Sequence, residues 1–278
     1  MSRSDVYAPA REVTDPLDCT FYHTMEVPGL GRVEGEWDLT GCVDSYLGGV
    51  QVQGRRVLEI GSASGFLCFE MESRGAEVVA FDLSEDFAGD LVPFARINDS
   101  SHAQASRAGT RRFNNAYWLT HAARRSRAKV VHGSVYSIPD GIGPVDIVTI
   151  GAVLEHLRDP FGALAEAARF AKQSVIVTGV MSRRYLPLLW LSRLGLAWAI
   201  FLPRHERTDA FLSWWLLSPA TVRRALGVLG FEDATITYHH ALYLGRKARL
   251  FTIVANRTAG EALKDVPSTA PAALTATG

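Results

Sequence analysis

Residues 57–84 restrict the fold of this chain more tightly than any other stretch. Val57 to Ile60 reads as a buried strand, Gly61 and Gly65 bracket a turn, and a helix opens near Gly65. A second apolar strand, Glu77 to Phe81, then ends on a carboxylate, Asp82. Glycines let the backbone approach a ligand where any Cβ would collide. An acid at the tip of the second strand can accept hydrogen bonds from both ribose hydroxyls. Strand, glycine turn, helix and acid-tipped strand together make a nucleoside pocket.

The loop spacing narrows the ligand. Dinucleotide sites use G-x-G-x-x-G, whose third glycine lets the helix pack below a pyrophosphate. Here the spacing is Gly61-x-x-x-Gly65, with Ser62, Ala63 and Ser64 between and Glu59 just before. A carboxylate beside the turn is unhelpful to a pyrophosphate and favourable to an ammonium group. The expected cofactor is therefore S-adenosylmethionine (SAM), whose methionine moiety carries that ammonium. Ala63 stands where the middle glycine of such loops is usual.

The chain has 278 residues and a formal net charge of zero, enough for one large domain or two small ones. Overall charge selects no partner. Cys19, Cys42 and Cys68 are far apart and odd in number, as expected of structural thiols in a reducing compartment. The N-terminus has no apolar h-region, so the expectation is a cytoplasmic protein without a signal peptide. Tyr185 to Leu202 is apolar over a membrane-spanning length, but a central Arg193 costs about 2.5–3.5 kcal/mol on insertion. A pair of short helices capping an active site is the preferred reading, within an insertion spanning about 183–215. Trp190, Trp198 and Phe201 there imply a partly apolar substrate or a hydrophobic partner surface.

From 54 to 180 strands alternate with helices, the signature of a parallel α/β sheet. Strands are expected at 56–60, 77–81, 128–132, 145–150 and 174–178. The intervening helices should begin near Gly65, Ser84, Gly109 and Asp159, the last running Pro160 to Lys172. A helix from Pro219 to Leu229 and strands near 233–239 and 248–255 complete a domain over 16–256, with a terminal antiparallel hairpin. Residues 1–15 and 257–278 read as flexible tails. The stretch 100–139 has no Asp or Glu and carries Arg107, Arg111, Arg112, Arg124, Arg125, Arg127 and Lys129, interleaved with Phe113, Tyr117 and Trp118. It reads either as a surface for phosphates, RNA included, or as a solvated helix whose charges pair elsewhere.

Methyl transfer to a hydroxyl needs alignment and a base for the proton. His156 is the candidate base, because an imidazole titrates near neutrality and the loop after strand 145–150 lies beside the methyl group. Glu155 is a rival base or a ligand to an acceptor hydroxyl. Ser134 and Val135, after the third strand, should meet the adenine, with Ser134 where many such folds carry an acid. Gly151, at the end of the fourth strand, is counted with the cofactor contacts. Tyr136 and His23 are counted with the acceptor contacts, and the segment holding His23 and Trp37 could fold over the cofactor. His239 and His240 point to opposite faces of a strand, and no metal site is expected.

These motifs resemble class I SAM-dependent methyltransferases over roughly 54 to 255, with a Rossmann-like sheet as the implied α/β fold. More narrowly, three features are similar to the tRNA wobble-uridine carboxymethyltransferase family. They are Gly35-Glu36-Trp37, Val153-Leu154-Glu155-His156 followed by Pro160, and Leu217-Ser218-Pro219 opening a late helix that ends at Leu229-Gly230-Phe231. The resemblance implies Trp37 lining the cofactor site and Asp82, Leu83 and Ser84 forming the ribose-binding turn. It departs where that family holds a second carboxylate with lysines: His23 falls where one is expected, and 38–48 contains no Lys or Arg. The expected donor is therefore plain SAM. The expected activity is O-methylation of a small-molecule, sugar or glycolipid-like acceptor, with tRNA modification and a degenerate SAM-binding scaffold as alternatives.

Overall fold

The computed structural model describes residues 6–95, 100–181, 188, 194–206 and 213–258. Short strands β1 (Met25–Val27), β2 (Gly31–Val33) and β3 (Trp37–Asp38) and helix α1 (Val43–Tyr46) precede the glycine loop. Strand β4 (Arg56–Ile60), helix α2 (Phe66–Ser73) and strand β5 (Glu77–Asp82) are the expected nucleoside unit. There follow α3 (Ser100–Arg124), β6 (Lys129–His132), β7 (Val145–Gly151), α4 (Pro160–Ala168) and β8 (Ala171–Met181). The described chain closes with β9 (Ala199–Phe201), β10 (Trp215–Leu217), α5 (Pro219–Val228), β11 (Asp233–Tyr243) and β12 (Arg246–Asn256).

Eight strands form one sheet in the order β3-β11-β12-β8-β7-β4-β5-β6. From β8 to β6 all neighbours are parallel; β12 runs antiparallel to β8, and β11 pairs back on β12. The fold is a Rossmann-like methyltransferase sheet, mostly parallel with a terminal antiparallel hairpin. The central strand shows why: Val57 and Leu58 are both fully buried, on opposite faces, as a strand covered on two sides requires. Val57 faces α2 and α3, and Leu58 faces α4 and α5. Glu59 points to the same side as Val57, beneath the glycine loop.

Helix starts follow their caps. Asp159 accepts from Gly162 N before Pro160, and Ser218 accepts from Thr221 N before Pro219. Two helix expectations are corrected. Among the described residues no helix begins near Ser84 or Gly109: 84–95 is turn and coil, and Gly109 lies inside a single helix, α3. The helix from Pro160 ends at Ala168 rather than Lys172, because 171–181 pairs with β7 on one side and β12 on the other. Sheet pairing on both edges outweighs helix propensity there.

Residues 6–15, expected within a flexible tail, pack on the domain. Ala8 N donates to Val130 O at 2.8 Å, and Arg11 pairs with Glu85 at 2.7 Å. In the 183–215 insertion 199–201 pairs antiparallel with 215–217 as β9 and β10, and the expected cap helices fall mostly on residues that lie outside the described ones. Most of 185–193 and all of 259–278 lie outside the described residues. Among the described residues no helix is long and apolar enough to cross a membrane.

Candidate active site

The glycine loop closes under three constraints. Gly61 (φ 82°) and Gly65 (φ 88°) adopt left-handed backbone. A Cβ on Gly61 would run into Val153, and one on Gly65 would lie 2.5 Å from Phe69 and 2.7 Å from Tyr117. Ala63 also lies in the left-handed region, φ 47°, which an alanine adopts at a cost. Asp82, at the end of β5, is taken up by this loop: its carboxylate accepts from Ala63 N, from Leu83 N at 2.6 Å and from Ser62 Oγ at 3.4 Å. Burial nevertheless raises its pKa, outweighing those bonds.

Glu59 is 3% exposed, and one of its carboxylate oxygens has no hydrogen-bond partner. Burial, then the neighbouring Asp82, pushes its pKa up to about 8. A buried acid without a cation is costly unless a ligand brings one.

The segment 22–37 lies over this loop. Tyr22 N and His23 N both reach Ser64 Oγ, at 3.1 and 3.4 Å. Trp37 N donates to Tyr22 O, and Thr24 N to Trp37 O. His23 is buried and its pKa is lowered by that burial to about 4, so it is neutral. Helix α3 holds the preceding residues: Arg112 donates to Leu17 O, Cys19 O and Thr20 Oγ1.

Two adjoining cavities result. The smaller, about 30 Å³, is lined by Glu59, Gly61, Gly151, His23, Tyr46 and Leu67, among others. The larger, about 590 Å³, is walled by apolar groups such as Leu154, Val177, Val180, Leu216, Val222 and Phe251, with Glu155, His156 and Ser213 among its few polar groups. Tyr22, Trp37 and Ala152 line both and form the throat between them. His156 Nδ1 lies 3.3 Å from Ser213 Oγ. The Glu155 carboxylate takes the Val180 N–H, and its pKa is raised by burial despite the adjacent His156.

Other expected contacts fall elsewhere. Tyr136, expected to meet the acceptor, is not in the lining of either cavity; its hydroxyl donates to Asp90 and accepts from Asp159 N. Ser134 Oγ accepts from Tyr136 N, and Ser84 Oγ donates to Asp86, so both hydroxyls serve their own turns. Val135 packs partly buried against the α4 side of the core. His239 packs against the Tyr46 ring, while His240 is exposed on the other face. The basic stretch is also redrawn, since Tyr117 and Trp118 are core residues and Arg112 and Arg124 turn onto backbone carbonyls of 17–26. Tyr22, Phe94, Trp215 and Asp90 were not found by sequence reasoning; they sit in segments without motif spacing.

The site fits SAM on its own features. The turn at Gly61 admits no Cβ, Glu59 keeps one buried carboxylate oxygen without a partner, which an ammonium would satisfy, and Asp82 ends β5 beside the loop. Among the described residues, the lining of the smaller cavity contains no Lys or Arg. A second carboxylate on the donor would meet Glu59 and the neutral His23. A cavity of about 30 Å³ is far too small for SAM, so the donor must also occupy the throat or displace side chains.

Residues 44–236 match the sequence model of the methyltransferase domain family. Ubiquinone biosynthesis O-methyltransferase of Methylococcus capsulatus (strain ATCC 33009 / NCIMB 11132 / Bath) is 27% identical over 193 residues, covering 67% of this chain and 71% of that protein. The N-terminal domain of EvdMO1, solved with SAH bound, superposes with a TM-score of 0.51 at 16% identity, covering 84% of this chain and 90% of that one. The same domain in the presence of SAH and D-fucose gives 0.50, again at 16% identity and the same coverage. None of these matches singles out the tRNA wobble-uridine carboxymethyltransferase family, and the narrower resemblance is not supported.

Proposed function

The chain belongs to the methyltransferase domain family and is a SAM-dependent methyltransferase, and on that premise we propose that it methylates a hydroxyl of an apolar, aromatic small molecule. One observation carries this reading: the donor cradle opens through a three-residue throat into a larger apolar cavity with His156 and Glu155 on its wall. SAM supplies an electrophilic methyl group and departs as a neutral thioether. Alignment and proton removal are left to the chain.

Apolar walls favour an aromatic body over a sugar, whose many hydroxyls would lose their water without gaining partners. The M. capsulatus relative, named for O-methylation in ubiquinone biosynthesis, supports an aromatic acceptor in the same direction. His156, on the wall of the acceptor cavity, takes the acceptor proton. Glu155, raised by burial, stays beside it as a hydrogen-bond partner for the acceptor or the imidazole. The tRNA reading finds less support, because Tyr117 and Trp118 of the basic stretch are buried and Arg112 and Arg124 are engaged on backbone carbonyls.

SAM with a labelled methyl group, offered catechol, a methyl glycoside and bulk tRNA, tests the proposal. Label in a catechol methyl ether is the expected result, and label confined to tRNA or the glycoside would contradict it. The same assay tests the base: His156→Ala should lower kcat about 100-fold with SAM affinity intact. Full activity in that variant would remove His156 from the chemistry.

A further inference from the structure

We propose that Tyr22 is a catalytic residue: its hydroxyl, at the throat between the two cavities, hydrogen-bonds the acceptor oxygen and holds it in line with the incoming methyl group. This rests on the reading of the larger cavity as the acceptor site. Tyr22 is one of three residues that line both cavities. Of the other two, Ala152 has no polar side chain, and the Trp37 indole, which lowers the Tyr22 pKa, is a donor only. Thr178, on the larger cavity wall, is committed, donating to Tyr46 O at 3.0 Å and lying 2.8 Å from Thr252 Oγ1. Among the three throat residues Tyr22 thus carries the hydroxyl, a group that can both accept and donate a hydrogen bond.

Its position is over-determined. The backbone N–H reaches Ser64 of the donor loop at 3.1 Å, and the carbonyl accepts from Trp37 N at 3.1 Å. The ring meets Phe113 of α3 edge-on at 5.7 Å and His23 at 4.9 Å. An indole N–H can only donate, so the neighbouring Trp37 leaves the phenol's own O–H proton for an acceptor oxygen. Burial, with Glu36, Glu155 and Tyr243 adding to it, pushes the phenol up to about 12 against the Trp37 bond, so the group stays protonated. A donor so fixed binds one lone pair of the acceptor oxygen and directs the other at the methyl carbon, a gain in orientation. The proton lost by the acceptor still goes to His156; Tyr22 keeps its own.

The experiment measures catechol methylation by the full chain at saturating SAM, with SAM affinity by isothermal titration alongside. Tyr22→Phe should lower kcat roughly 10- to 100-fold, the effect of one hydrogen bond to a charged or developing charge. SAM affinity and melting temperature should stay near wild type. Trp37→Phe should lower kcat by less, and the double variant should be no worse than Tyr22→Phe, since both act through one hydroxyl. Wild-type kcat in Tyr22→Phe would overturn the proposal. So would a loss explained entirely by weaker SAM binding. If wild type binds SAM but leaves catechol unmethylated, the aromatic-acceptor reading fails and takes the Tyr22 assignment with it.

Discussion

Ala63 holds a left-handed backbone that costs an alanine on the order of 1 kcal/mol and a glycine almost nothing. Ala63→Gly should therefore raise the melting temperature, by up to a few degrees, and leave SAM titration unchanged. Gly61→Ala acts in reverse: its methyl meets Val153 as well as a positive φ, and SAM binding should be lost. Glu59 makes a pH prediction. Its folded pKa, about 8, lies above the 4.5 of a free glutamate, so the folded chain holds a proton that the unfolded chain has released. Stability from this group is therefore present below pH 4.5 and is lost as pH rises toward 8. Glu59→Gln should melt like wild type near pH 4.5 and above it at about pH 8.5, while binding SAM more weakly. Melting curves of the ligand-free protein at the two pH values check both signs. At this scale the sequence was legible wherever spacing carries chemistry: Glu59, Gly61 and Asp82 stand at fixed offsets from a strand end. Tyr22 was not, because its role comes from Ser64 and Trp37, which only the folded chain brings to it.

Elements distribute the same chemistry less legibly. The seven positive charges of 107–129 give no hint that Arg112 and Arg124 clamp the carbonyls of 17–26, since those contacts span 93 to 98 residues. Arg112→Ala removes three bonds that hold the segment leading to Tyr22. It should cost about 1–3 kcal/mol and raise KM for SAM, whereas Arg107→Ala, exposed on the same helix, should change neither. The segment between β5 and α3 is fastened at Asp90. Its carboxylate accepts from Tyr136 and from Arg158 N at 2.7 Å, and its carbonyl from Trp214 Nε1 at 2.6 Å. Phe94, four residues on, lines the larger cavity. Asp90→Ala should speed hydrogen exchange over 86–95 and raise KM for the acceptor more than for SAM. Unchanged exchange would show that the segment is held by other contacts. Tyr136 is illegible for the same reason as Arg112, since its partner lies 46 residues away.

Across the whole molecule, strand periodicity predicts the parallel run and its antiparallel hairpin, because strands covered on both faces announce themselves as apolar runs. Helix ends, the β9–β10 pair and the packed residues 6–15 depend on partners far along the chain and were not legible. The sheet and the segment 22–37 bring a donor cradle and an apolar cavity to a common throat, and this juxtaposition supports the proposed chemistry. A crystal structure with SAH and catechol bound measures it directly. The thioether sulfur should face Tyr22 at the throat, the amino group should lie within hydrogen-bond distance of Glu59, and the catechol should fill the larger cavity with one hydroxyl toward His156. SAH bound away from Glu59, or catechol outside the cavity, would contradict the assignment of donor and acceptor sites.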